Sequence, residues 1–273
     1  MGLAWQQGPL AVGSVGHFLT AQPLPESLLF AEPLRLRMRV RLGDEWVADS
    51  ENVVLLLLDE DRVTDHGELG EMRWYTVSLG DRQIPHAAWE HTALPSHATD
   101  LAGHVAFAWW AMDGFYEEDE RIVGHAADPY HRVDMRASSR RLVVRDGDRV
   151  IADTHRPVAL YEPGFATRWY VPRDDIDENA LEPVDGQTFC PYKGLADYYT
   201  IGAHNRAAWS YMNAWPEAGR VSNLVSFEPD KVDVWLDDRR LQLETGQTVV
   251  AHGIDRGLDP EEILRFSTAG SPR

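Results

Sequence analysis

The segment Cys190-Pro191-Tyr192-Lys193-Gly194 gathers the one cysteine of the chain and one of its two lysines within four positions. Pro191 biases Cys190 toward extended backbone and Gly194 permits a sharp turn, so the two heads can converge. A nearby ammonium favours thiolate, and desolvation in an apolar pocket makes a lysine the better nucleophile. Cys190 and Lys193 are therefore the catalytic candidates, as nucleophile or acid/base. The competing reading is structural: a small buried cysteine at a strand start and a lysine pairing a carboxylate. Lysine usage bears on the choice, because only Lys193 and Lys231 among 26 basic residues are not arginine. A chain so rich in arginine has little reason to spend a lysine on a solvated position. Lys193 is expected to be buried, within reach of a carboxylate, a carbonyl or a ligand.

A second group is aromatic and cationic: Arg168, Trp169, Tyr170, Trp209 and Tyr211, with Arg73, Trp74, Tyr75 and Trp110 as apparent equivalents. Strand alternation puts Arg168 and Tyr170 on one face and Trp169 on the other, so the first two can line a cavity while the tryptophan packs. Ordinary sheet packing is the alternative. Glu162, in Tyr161-Glu-Pro-Gly164, is a candidate partner for Arg168 or Lys193 or else an exposed turn carboxylate, and Asp134 and Asp233 can cap a turn or pair with Arg132 or Lys231. Glu117 to Glu120 reads as a solvated loop. Six histidines lie between His86 and His131, but the spacings of His86, His91, His97 and His104 place no pair on one helix face, so no metal is expected and these side chains read as loop histidines. No phosphate loop, nucleophile elbow or Cys-x-x-Cys pair occurs, and no cofactor is implied.

The elements that must position these residues are repeated. Arg37 to Leu58 laid on Arg141 to Glu162 without a gap matches at nine of 22 positions, including Arg41, Gly43 and Asp44 on Arg145, Gly147 and Asp148. A period near 104 residues is the size of a small domain and too long for a solenoid unit. The expected copies are 35–137 and 138–242, flanked by an N-terminal strap, 1–34, and a tail, 243–273, with a short helix signalled at Asp259-Pro260. Further matches set Arg73-Trp74-Tyr75 on Arg168-Trp169-Tyr170 and Val133 on Val232, and leave Leu94 to His97 as the rough counterpart of Cys190 to Gly194. Within each copy the apolar runs are short, β-branched or aromatic, and broken by turn residues, Asp146-Gly147-Asp148 being a hairpin signal. The fold class is mainly β, two tandem copies of a small domain built from antiparallel sheets with few short helices, one of them near Asp177 to Leu181.

The chain has 273 residues and a net charge of −18, so it can bury a core but opposes nucleic acid and anionic lipid. Neither nucleic acid nor membrane is an expected partner, and nothing in the sequence sets an oligomeric state. One cysteine allows no intrachain disulfide, and the first residues carry no basic leader, which together read as cytoplasmic.

The strings Val150-Ile-Ala-Asp-Thr154, Tyr161-Glu-Pro-Gly164, Arg168-Trp-Tyr-Val-Pro172, Cys190-Pro-Tyr-Lys-Gly194 and Lys231-Val-Asp-Val234 resemble the bacterial domain of unknown function 427. The resemblance covers the second copy and, more weakly, the first, which keeps Val47-Ala-Asp-Ser50 and lacks the cysteine–lysine element. Met1 to Pro33 looks like the start of actinobacterial tandem members. The resemblance implies a β-tent type fold, two antiparallel sheets leaning together, and a pocket from Glu162, Arg168, Tyr170, Cys190, Tyr192, Lys193 and Trp209. Two functions follow: binding of a small molecule in a β-walled pocket between the sheets of the second copy, or a transferase- or hydrolase-type enzyme using Lys193 or Cys190.

Overall fold

The computed structural model describes residues 2–4, 30–58, 69–123, 126–162 and 165–242. The expected tail helix lies outside them, as does most of the strap. Contacts divide the chain into Met1–Ile122 and Val123–Arg273. The first unit holds β1 (Gly2–Ala4), β2 (Phe30–Leu34), β3 (Met38–Leu42), β4 (Glu45–Ser50), β5 (Val53–Leu58), β6 (Met72–Leu79), β7 (Arg82–His91), β8 (Ala106–Phe107), β9 (Gly114–Glu117) and β10 (Glu120–Ile122). They form sheets of order β1-β5-β2, β10-β9-β3-β4 and β6-β7-β8. The second unit holds β11 (Asp134–Ala137), β12 (Leu142–Asp146), β13 (Arg149–Thr154), β14 (Val158–Tyr161), β15 (Arg168–Val171), β16 (Glu182–Cys190), β17 (Gly194–Ile201), β18 (His204–Ser210), β19 (Val225–Phe227), β20 (Asp233–Leu236) and β21 (Arg239–Arg240). These make two antiparallel sheets, β11-β14-β15-β19-β18-β17-β16 and β13-β12-β20-β21. The protein is mainly β, and the helical signal near Asp177 is a single 3-10 turn, Glu178–Ala180, capped by the Asp177 carboxylate. Among the described residues no helix is long and apolar enough to cross a membrane.

Alternation along the strands builds two apolar layers in the second unit. Leu142, Val144, Ile151, Val234 and Leu236 of the small sheet pack with Trp169, Val171, Ile201, Val225 and Phe227 of the large one. The opposite face of the large sheet carries Met135, Leu160, Tyr170, Ala196 and Tyr211, covered by Ala214, Ala218 and Val221 from the segment around the 3-10 helix Pro216–Val221.

Strand registers define which residues of the two units are equivalent. Met38 pairs with Ser50 and Leu42 with Glu45; Leu142 pairs with Thr154 and Asp146 with Arg149, and both hairpins bulge at the same place, Val40/Arg41 and Val144/Arg145. Gly43 and Gly147 both sit at φ +58, the left-handed conformation that these two-residue turns require. Each hairpin carries the same two-pronged ion pair, Arg37 with Asp49 and Arg141 with Asp153. Downstream, Ala88 pairs with Phe107 and Trp89 with Ala106, as Ala208 pairs with Phe227 and Trp209 with Ser226. His86 and Arg206, two residues before those alanines, share a positive φ. Finally β9-β10 matches β20-β21, with Glu118 and Asp237 both at positive φ and both accepting from the backbone N–H of the matching arginine, Arg37 or Arg141.

These equivalences revise the sequence alignment. The counterpart of Trp209 is Trp89, and Trp74-Tyr75 corresponds to Tyr198-Tyr199. Val232 corresponds to Asp113, because β20 and β9 take the same place beside β12 and β3. The first repeated unit ends with β10 at Ile122, and Asp134–Ala137 belongs to the second unit, where it pairs with β14 as β2 pairs with β5. The run Glu117 to Glu120 is the β9-β10 turn, tied down by Arg37 and Arg39.

Candidate functional site

The backbone of the cysteine–lysine segment is fixed on both sides. Cys190 pairs with Gly194 at the closed end of the β16-β17 hairpin, the Lys193 N–H donates to the Cys190 carbonyl at 3.2 Å, and the Trp215 N–H donates to the Lys193 carbonyl at 3.1 Å. Gly194 sits at φ +92, a conformation that side-chain-bearing residues rarely adopt, so glycine is favoured there by conformation. The turn sends Lys193 inward. It is 7% exposed, and its Nζ lies 2.6 Å from Glu162 Oε2. Glu162 immediately follows β14, and its other oxygen, Oε1, lies 2.8 Å from His131 Nε2. The His131 side chain is only 2% exposed, and its ring stacks on Tyr192 at 3.7 Å with an 11° tilt. The Tyr192 hydroxyl in turn accepts the Asp128 backbone N–H at 2.7 Å.

Electrostatics decide the protonation states. Burial disfavours the charged form of Glu162, but His131 and Lys193 outweigh it and hold the carboxyl below its ordinary value of 4.5. Burial likewise works against the Lys193 ammonium, yet Cys190 and Glu162 carry its pKa above the ordinary 10.5. At Cys190 burial wins and pushes the thiol up, with Lys193 opposing. Around neutral pH the centre is an ion pair beside a neutral thiol. Burial also raises the Tyr170, Tyr192 and Tyr211 phenols, which stay protonated.

All seven candidates fall on the outer side of the large sheet. Lys193, Glu162, Tyr192 and Cys190 meet around the ion pair. Tyr170, 1% exposed, accepts the Trp209 indole N–H at 3.2 Å. Arg168 pairs with Glu228 at 3.1 Å, not with Glu162, and its guanidinium lies 5.2 Å from the Trp209 ring. The expected position between the sheets is thus corrected: the inter-sheet space is filled by aliphatic side chains, Trp169 and Phe227, and the polar residues alternate to the other face. Tyr170 and Trp209 do not line the depression next to the ion pair. That depression, about 240 Å³, is lined by Arg132, Asp134, Tyr161, Glu162, Phe165 and Thr167. Glu162 is the candidate that reaches it. Lys231 donates to the carbonyls of Asn205 and Arg206 on the surface, and Asp134 pairs with Arg132 and Arg136.

Sequence reasoning missed His131 and Asp128. Both sit on the segment joining the two repeated units, and no spacing rule connects His131 with Glu162. Leu94 to His97 is no counterpart of Cys190 to Gly194: it follows β7, as Ala214-Trp215-Pro216-Glu217 follows β18.

A mainly antiparallel β protein, with a buried lysine–carboxylate–imidazole centre in its second unit, is the class that fold and site define. The chain belongs to the family Domain of unknown function (DUF427), whose model matches residues 57–118 and 134–238. The second match spans every candidate site residue from Glu162 to Trp209. No curated protein matches the chain.

Proposed function

We propose that the second unit binds a small organic molecule over Glu162. One observation carries this reading: the carboxylate that neutralises Lys193 also lines the depression, so a fixed, preoriented acceptor faces a concavity whose apolar walls are Tyr161 and Phe165. A ligand with a hydrogen-bond donor for Glu162 and a flat or apolar portion for the two rings suits this lining. The catalytic alternative has less support, since Lys193 is held as an ammonium and the Cys190 thiol is pushed up, which removes both nucleophiles at neutral pH. The test is a fragment screen on the full chain by thermal shift, with native mass spectrometry of the purified protein for a retained ligand. Binders whose shift disappears in Glu162→Gln are expected. Binders indifferent to that substitution, or none at all, would overturn the reading, and rapid iodoacetamide labelling of Cys190 would restore the enzyme.

A further inference from the structure

The depression that Glu162 reaches has a second charged side, made by Arg132 and Asp134. Arg132 lies just before β11, and its side chain is 72% exposed. Its Nε lies 2.8 Å from Asp134 Oδ2 and its Nη2 donates to Oδ1 at 3.1 Å, so the carboxylate holds one edge of the guanidinium and fixes its plane. A guanidinium has a second edge of the same kind. That edge, Nη1 with the remaining N–H of Nη2, has no partner among the described residues.

The charges around it do not balance. Arg136 Nη2 shares Asp134 Oδ1 at 3.3 Å, and its Nη1 donates to the Met135 carbonyl at 3.0 Å. Arg220 Nη1 donates to the same carbonyl at 3.5 Å. Three arginines thus gather around one carboxylate, and among the described residues no other acidic side chain pairs with them. Glu162 does not make up the difference, because Lys193 lies 2.6 Å from one of its oxygens and His131 2.8 Å from the other. In a chain of net charge −18, a cationic excess beside a concavity runs against the composition. A cation placed on Asp134 would have to displace a bound guanidinium and would meet the other arginines. An anion is attracted by all three.

We propose that the ligand over Glu162 is an aromatic carboxylate, and that Arg132 selects its charge. The carboxylate takes the open edge of Arg132 in a two-pronged contact, the ring lies against Tyr161 and Phe165, and a hydroxyl or amine of the ligand donates to Glu162. Arg136 and Arg220 add charge without contact. This assignment rests on the binding reading of the same depression and adds the class of ligand to it.

The experiment titrates the full chain with three probes that differ at one end, 4-hydroxyphenylacetate, its neutral amide and tyramine, by ligand-observed NMR. The expected order of affinity is acetate, amide, tyramine, with about tenfold between the first two for the loss of a charge-assisted contact. Glu162→Gln should weaken the acetate and the amide alike. Arg132→Gln, a change at an exposed side chain, should remove the advantage of the acetate and leave the amide as it was; Arg220→Gln should reduce that advantage by less. Glu162-dependent binding in which the amide or tyramine equals the acetate, or an acetate preference that survives Arg132→Gln, overturns this proposal and leaves the binding reading standing. Absence of Glu162-dependent binding by all three probes overturns both.

Discussion

The two units share hairpins, bulges, turn glycines and the Ala-Ala-Trp strand, yet among the described residues only the second has the buried lysine–carboxylate–imidazole centre. The difference lies in what the frame surrounds. Between β14 and β17 the second unit has β15, β16 and the cysteine–lysine turn. Leu58 occupies the position equivalent to Glu162, following Leu57 as Glu162 follows Tyr161. Of the seven candidates, Glu162 and Trp209 have the register counterparts Leu58 and Trp89, and of the two only the tryptophan is kept. The matching registers lie in the shared frame, and the charged centre is made by His131, Glu162 and Lys193 of the second unit.

Removing one partner of the buried pair tests that asymmetry with the largest effect. Lys193→Met leaves the Glu162 carboxylate beside His131 without its ammonium, with both side chains of the pair about a tenth exposed. The expected cost is about 3–5 kcal/mol, confined to the second unit and read as lost hydrogen-exchange protection in residues 134–241 with the first unit unchanged. Glu162→Gln combined with Lys193→Met should recover part of it, and a loss shared equally by both units would refute the asymmetry.

The same pair gives the second unit a pH window. Glu162 has a lowered folded pKa, so its contribution is present above about 4.5 and is lost as pH falls through the lower folded value. Lys193 has a raised folded pKa, so its contribution is present below about 10.5 and is lost as pH rises through the higher folded value. Wild type minus Lys193→Met should therefore be largest between those limits and shrink outside both, in denaturation midpoints of the second unit.

Tyr170→Phe strands the Trp209 indole N–H, which has its acceptor in that hydroxyl, and should cost about 1–2 kcal/mol. The smallest effect sharpens what the units share. Gly43→Ala and Gly147→Ala each force a side chain to φ +58 and should cost about 1 kcal/mol, with Gly43→Ala slightly worse because Leu79 Cδ2 lies 3.2 Å from the new methyl while nothing crowds Gly147. Thermal midpoints of the two variants rank them.

The hairpin was legible in sequence because a two-residue turn with an obligatory glycine fixes register, and register fixes which of Arg37 or Arg141 meets Asp49 or Asp153. The sequence alignment and the strand registers part after Glu162, where Trp209 answers to Trp89 and not to Trp110. Ala87-Ala88-Trp89 repeating as Ala207-Ala208-Trp209 was the signal that carried the true register, and both alanines are buried in each unit. The burial of Lys193 was readable from lysine scarcity. His131 was not, since its place depends on the backbone path of the joining segment and on the Tyr192 ring that it stacks upon.

That joining segment has a consequence for how such a gene can be rearranged. Val123 packs with Leu195, Phe189 and Trp215, the Asp128 N–H binds Tyr192, and His131 holds Glu162, so the stretch that tethers the copies is also a wall of the second copy's site. A tether of this kind cannot drift in length or composition as a spacer can. Excising the second copy at its first strand, Asp134, would deliver a complete repeat with an incomplete centre. A cut before Val123 would carry the wall along, which sets the smallest heritable unit at the domain plus its preceding arm.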